Sequence, residues 1–157
     1  MPRDAIIQRL LDSMHDTLKF FDQPDFVLSR SYGPGKWTLR EILVHLSDSE
    51  TVMLDRLRRL VAEEKPTLAA FDENRWMSAL FYTQRDLNLA RQQFESARRN
   101  AIELARTLDD GADGKVGIHS EAGALSFAQV LGKVSAHNLH HLEQVHAIAE
   151  NRTWVKT

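Results

Sequence analysis

Two histidines near the carboxyl end of the chain have the spacing of a metal-binding pair. His137 and His141 are four residues apart. On an α-helix this spacing rotates the second side chain by about 40° and raises it by one turn, so both imidazoles face the same side. A helix offers two ligands to one metal ion in this way. The pair therefore indicates chemistry based on a bound metal.

A third histidine, His45, lies in a separate helical segment far from the pair in sequence. Helical phasing places His45, His137 and His141 at the margins of the apolar faces of their helices, whereas His140 turns outward. Three neutral imidazoles would leave a coordination position open for water or substrate. A lone histidine at such a margin is more often a structural residue, so the prediction depends on all three meeting.

Three further side chains are candidates for proton transfer or for orienting the ligands. Gln144 shares the side of His137, Asp48 lies on a flank of the His45 helix, and Glu50 falls within a broad apolar arc. A carboxylate on an apolar face is costly unless it is paired. Of the two roles open to Glu50, we therefore expect a buried hydrogen-bonding residue in preference to a catalytic base.

The elements that must position these residues are four long helices, over residues 4–21, 38–62, 84–108 and 126–150. Two sequences are typical of capping boxes, Thr38 with Glu41 and Ser126 with Gln129, and they mark helix starts. Thr83 is the expected cap of the third long helix. A short helix near Asp72 and an extended piece over residues 116–118 are also expected.

These helices predict an all-α fold, a four-helix bundle in a single domain over residues 1–157. Long crossover connections are expected around Gly33 and Gly123. A basic cluster of Arg56, Arg58 and Arg59 on the second long helix is expected to be a solvated surface.

Composition narrows the possible functions. The chain has 157 residues, a net charge of −2 and no cysteine. It therefore has neither disulfides nor thiolate ligands, and any metal must be held by His, Asp or Glu. The charge argues against nucleic acid or an anionic membrane as a partner. Because no apolar run approaches about 18 residues and no apolar signal region follows the first methionine, a cytoplasmic location is expected.

Several motifs together resemble the DinB/YfiT superfamily. They span the chain from the second long helix to the last: Trp37-Thr38 followed by Glu41, His45 and Asp48, then Phe71-Asp72-Glu73 with Trp76, then Gly123 and Ser126 before His137, His140, His141 and Gln144. The resemblance implies a four-helix bundle whose helices are not in simple up-and-down order. It also implies one divalent ion, zinc or nickel, bound by His45, His137 and His141, and a possible homodimer.

The resemblance leaves the reaction open. Some relatives are bacillithiol- or mycothiol-dependent S-transferases, and others resemble maleylpyruvate isomerase. We expect a metal-dependent enzyme acting on small molecules, either a transferase using a low-molecular-weight thiol or a hydrolase. The alternatives are a non-catalytic bundle in which the metal ties two helices together, and a metal-free interaction module.

Overall fold

The computed structural model describes residues 1–155, and within them six α-helices and three short strands. The elements in chain order are α1 (Arg3–Leu18), α2 (Asp25–Leu28), α3 (Leu39–Ala62), β1 (Thr67–Leu68), α4 (Glu73–Ala79), α5 (Leu87–Thr107), β2 (Val116–His119), β3 (Gly123–Ser126) and α6 (Phe127–Ala149). Short 3-10 turns follow α1 and precede α5 and β2. The four long helices are those expected from the sequence.

The long helices form a four-helix bundle with two crossovers. α3 packs against both α5 and α6, and α1 packs against the same two helices. Consecutive long helices α1 and α3 are therefore diagonal, as are α5 and α6, so residues 19–38 and 108–126 must cross an end of the bundle. The expected all-α bundle with long crossovers is confirmed.

Both capping boxes form. Thr38 Oγ1 accepts from the backbone N–H of Glu41 while the Glu41 carboxylate accepts from the backbone N–H of Thr38, and Ser126 pairs with Gln129 in the same way. The prediction of Thr83 as a cap is wrong. Residues Tyr82–Gln84 form a 3-10 turn, and the Asp86 side chain caps α5 instead. Asp72 caps α4, as its position suggested.

A small sheet braces one end of the bundle. β2 pairs in parallel with β1 and antiparallel with β3, so the loop after α3 is tied to the crossover between α5 and α6. The extended piece expected at residues 116–118 is confirmed within β2. At Gly117 a Cβ would lie 2.8 Å from the carbonyl oxygen of Pro66, so the close approach of the two segments requires glycine.

The core is divided into two apolar clusters by a polar layer. One cluster contains residues such as Leu10, Leu57 and Phe127, and the other contains residues such as Leu43 and Phe94. Between them, buried polar side chains project from all four long helices: Ser13, Thr17, His45, Ser49, Glu50, Arg98, Ser135, Asn138 and His141. The three candidate ligands lie at the level of this layer. No helix within residues 1–155 is both long and apolar enough to cross a membrane.

Candidate metal centre

His45, His137 and His141 meet between α3 and α6. Each offers one ring nitrogen, and these three atoms lie within 4.8 Å of one another. The Nε2 atoms of His45 and His137 are 3.0 Å apart. Since two nitrogens bound to one tetrahedral ion at about 2.0–2.1 Å lie about 3.3 Å apart, the donor set fits a single divalent ion once the more widely spaced nitrogens, within 4.8 Å, rotate closer together.

All three imidazoles are held neutral. Burial, followed by the proximity of His141 and His137, lowers the pKa of His45 to about 2. Burial is also the main reason that the pKa of His137 falls to about 3 and that of His141 to about 4. A neutral imidazole carries the lone pair that a metal requires, so at pH 7 the set needs no deprotonation before it binds an ion.

Gln144 determines which nitrogen of His141 is available. Its Oε1 lies 2.8 Å from His141 Nδ1 and accepts a hydrogen bond from it, which leaves the lone pair on Nε2. The Gln144 amide nitrogen is 3.5 Å from Nε2 of His140. Gln144 is buried beside the cluster, at the position where its helical phase placed it. Its geometry is that of a residue orienting a ligand.

Aromatic rings enclose the histidines on two sides. The Trp37 ring is parallel to His141, at 6.4 Å between centroids, and presents its edge to His45 at 5.0 Å. Phe71, before α4, lies 6.4 Å from His45, and Trp76 packs on Phe71 at 4.7 Å. His45 is fully buried as a result. Phe71 and Trp76, from the middle of the chain, therefore cover this centre.

A cavity of about 300 Å³ reaches His141 from the surface. Glu73, His140 and Lys36 line it together with Gln144. Burial raises the pKa of Glu73, and the charge of His140 opposes this effect. Glu73 was not among the residues singled out for proton transfer, although it belongs to the Phe71-Asp72-Glu73 motif. Its proximity to the histidines depends on how α4 folds over the bundle.

The structure does not bring Asp48 to the histidines. Asp48 is about 60° away from His45 around α3, and this side faces α5. Its Oδ1 accepts a hydrogen bond from Gln93 Nε2 at 3.1 Å and lies 3.9 Å from Arg85 Nη2. Burial, followed by the proximity of Asp48, raises the pKa of the Tyr82 hydroxyl. Asp48 therefore belongs to the contact between α3 and α5.

Glu50 is also held away from the centre, in a buried ion pair with Arg98. Arg98 Nε donates to Glu50 Oε2 at 2.8 Å, and both side chains are almost fully buried. Arg98 also donates to Asn138 Oδ1 at 3.2 Å and to Ser13 Oγ at 3.0 Å. The expectation that Glu50 is a buried hydrogen-bonding residue is confirmed. The carboxylate is occupied by Arg98 and is not available to a substrate at the histidines.

Comparison with known proteins agrees with this geometry. Residues 7–145, which include all three histidines, match the model of the DinB superfamily. The chain belongs to the DinB superfamily. The resemblance drawn from the motifs is thereby confirmed, and the match extends from α1 to α6.

Relatives of this DinB chain carry a common functional name. A "putative metal-dependent hydrolase" of Oceanobacillus iheyensis is 27% identical over 127 residues, which cover 81% of this chain and 73% of that protein. A protein of the same name from Bacillus mycoides is 24% identical over 148 residues, covering 94% and 84%. These names support an enzyme that depends on a metal.

The DinB fold is matched by solved structures. YfiT from Bacillus subtilis, described as a probable metal-dependent hydrolase with an unusual four-helix bundle topology, superposes with a TM-score of 0.88. It is 22% identical, and the match covers 98% of this chain and 89% of YfiT. A second four-helix bundle protein matches with a TM-score of 0.66. At these identities the likeness concerns the fold.

Proposed function

We propose that this DinB protein is a metal-dependent hydrolase of small molecules, and that His45, His137 and His141 hold one divalent ion. The observation that carries the proposal is the convergence of three neutral imidazoles within 4.8 Å. The names of the relatives support hydrolysis as the reaction. Zinc and nickel are both compatible with a set of imidazole ligands, and they are the ions we propose.

His45, His137 and His141 would hold the divalent ion, which would supply Lewis-acid chemistry to a water, thiol or carbonyl group at this centre. Side chains of this protein orient the histidines, limit the access of water and offer groups for proton transfer. Gln144 orients His141 through its Nδ1 hydrogen bond. Trp37 and Phe71 limit the access of water to His45. Glu73 and His140 line the cavity at His141 and are our candidates for accepting a proton from the nucleophile.

Two other functions remain in competition with hydrolysis. A low-molecular-weight thiol could use the same open position, because three neutral ligands leave the full charge of the ion available to acidify it. In the non-catalytic alternative the ion only ties α3 to α6 and contributes stability. Small molecules as the substrates, and a homodimer as the assembly, are further parts of the proposal. Light scattering after size-exclusion chromatography tests the dimer.

The metal proposal is tested by elemental analysis of protein purified without a metal-affinity column. We expect one zinc or nickel per chain. His45→Ala should lose the ion, whereas His15→Ala, which changes an exposed histidine far from the cluster in sequence, should keep it. An ion at a thousand times its dissociation constant stabilises a fold by about 4 kcal/mol, so chelation should lower the melting temperature of the wild type and not that of His45→Ala. Full metal content in His45→Ala would refute the ligand set.

The reaction is tested on protein reloaded with its own metal. A panel of esters and amides is compared with electrophiles offered together with a low-molecular-weight thiol. We expect hydrolysis without thiol, lost in His45→Ala and reduced about 10²-fold or more in Glu73→Gln if Glu73 accepts the proton. Conjugation only in the presence of thiol would favour the transferase. A metal-dependent rise in stability with no turnover of either kind would support the non-catalytic bundle.

A further inference from the structure

Arg56 is not part of a solvated surface, although the sequence placed it in a basic cluster. Its side chain is 8% exposed, while Arg58 and Arg59 on the same helix are exposed. The guanidinium donates from Nη2 to the carbonyl oxygen of Ala69, and Nη1 faces the sulfur of Met53 at 3.6 Å. Within residues 1–155, its Nε has no hydrogen-bond partner. A buried cation without a carboxylate contact is costly and calls for an explanation.

The charged groups around Arg56 do not neutralise it. Asp55 is the nearby carboxylate, and its Oδ2 is engaged by Arg59 Nε at 2.7 Å. Arg59 Nη1 also contacts Glu63 Oε1 at 3.1 Å, so Arg59 bridges the two carboxylates. His119 is close enough to Arg56 for the two to interact. Among residues 1–155, therefore, no carboxylate forms a salt bridge with Arg56, although Asp55 is near enough to favour its charge.

A cavity of about 500 Å³ has Arg56 in its wall. Thr51, Asp55, Arg56, Arg59, Phe71 and Trp76 are among the residues that line it, and the Asp55 carboxylate in this wall is paired with Arg59. The volume suits a small molecule, and its walls combine aromatic rings with a small number of polar groups. Arginine presents its donors as a planar fork, which matches the oxygens of a carboxylate or a phosphate.

One wall of the cavity, Phe71, separates it from the histidine cluster. Val52 and Arg56 each lie within about 20° of His45 around α3, so the three residues form one stripe along the helix. The eleven residues from His45 to Arg56 span about 16 Å along the axis, and the long arginine side chain leans back toward His45. Phe71 belongs to both places, since it lines the cavity and lies 6.4 Å from the His45 ring.

We propose that this cavity is a subsite for the carboxylate or phosphate group of an elongated small-molecule substrate, with Arg56 as the residue that binds the oxyanion. Phe71 and Trp76 contact the apolar part of the molecule, and the reacting bond lies at the histidines, on the other side of Phe71. The role as a substrate subsite rests on the proposed function, but the binding of an oxyanion at Arg56 does not require a metal.

The test measures binding to the full chain in the presence of a chelator, at constant ionic strength. The probes are 3-phenylpropionate, its neutral amide 3-phenylpropionamide, and inorganic phosphate. Nuclear magnetic resonance follows the Arg56 Nε–H and Trp76 indole N–H signals. We expect saturable shifts of both signals with 3-phenylpropionate. The amide should bind at least about tenfold more weakly than the carboxylate, because it lacks the charge. Phosphate alone should shift the Arg56 signal, and its affinity relative to the carboxylate shows which oxyanion the subsite prefers.

Matched variants identify the residue. Arg56→Met removes the charge and should weaken 3-phenylpropionate about tenfold or more. Arg58→Met changes the exposed neighbour that donates to Asn100, and should leave binding unchanged. The probe comparison on the wild type needs no variant, so it still decides the matter if Arg56→Met does not fold.

Equal binding of amide and carboxylate, or no Arg56 shift with either oxyanion, would overturn the proposal. His45→Ala should bind 3-phenylpropionate like the wild type. If the metal ligands prove wrong while the oxyanion still binds at Arg56, only the proposed function fails; if the metal binds and the oxyanion does not, only the subsite fails.

Discussion

At the scale of single residues, the chemistry of the centre depends on which ring nitrogens carry protons. The three histidines are close to one another and largely buried, and their pKa values lie below the ordinary value, so each remains neutral. Neutrality alone does not orient a lone pair. For His141 that task belongs to Gln144, whose Oε1 accepts the Nδ1 proton at 2.8 Å. Gln144 thus sets which nitrogen of His141 is free to bind an ion.

Gln144→Leu is predicted to weaken metal binding by about 10–100-fold, because His141 loses the acceptor that sets its tautomer. Competition with a chromophoric chelator measures the affinity. Gln144→Glu keeps an acceptor at the same place and should bind the ion at least as tightly as the wild type. Gln8→Leu, a change at an exposed glutamine on α1, serves as the control. Wild-type affinity in Gln144→Leu would contradict the role given to the amide.

At the scale of elements, one buried ion pair joins all four long helices. Arg98 on α5 binds Glu50 on α3, Asn138 on α6 and both Ser13 and the Leu10 carbonyl on α1. Asn138 follows His137 directly in the chain. The network therefore holds α6 against α3 at the level where the histidines meet. Glu50, which the sequence suggested as a candidate for proton transfer, has a structural role here.

Glu50→Leu is predicted to lower the free energy of unfolding by about 3–5 kcal/mol, because it leaves the Arg98 charge buried without its partner. Urea denaturation of the metal-free protein measures the loss. The double variant Glu50→Leu with Arg98→Met removes both charges and should recover much of it. If Glu50→Leu unfolded like the wild type while losing activity, a catalytic role for Glu50 would be the better explanation.

The boundaries of the elements were predictable where the signals are local. Each capping box is a pair of side chains three residues apart, and both mark the true starts of α3 and α6. Thr83 failed as a cap because Tyr82 is buried against α3, which turns residues 82–84 into a 3-10 turn and moves the start of α5 to Leu87. That burial is a tertiary contact, so the local sequence did not reveal it.

At the scale of the whole molecule, the histidine cluster couples stability to pH. The folded-state pKa values of about 2, 3 and 4 lie below the unfolded value of 6.5. Below pH 6.5 the unfolded chain therefore binds more protons at these positions than the folded protein does. It follows that the metal-free protein should lose stability as the pH falls from about 6.5 toward 4.

Each imidazole can contribute at most about 1.4 kcal/mol per pH unit to this slope. Urea denaturation at several pH values between 6.5 and 5 tests the prediction, since few carboxylates titrate in this window. His45→Ala should show a shallower slope than the wild type because one buried imidazole is gone. Identical slopes in the two proteins would contradict the lowered pKa of His45 in the folded protein.

The sequence by itself determined the four long helices, the two capping boxes and the helical faces of the three histidines, because helical periodicity and capping are short-range properties that depend on residues three or four apart. Only the tertiary structure decided which neighbours of the histidines share their site. Gln144 contacts His141 and Glu73 lines the cavity at His141, whereas Asp48 and Glu50 face α5. Arg56, by sequence one of three similar arginines, is buried beside an aromatic cavity because the segment after α3 folds back over the helix. Such placements depend on packing between segments distant in the chain, which no local pattern encodes.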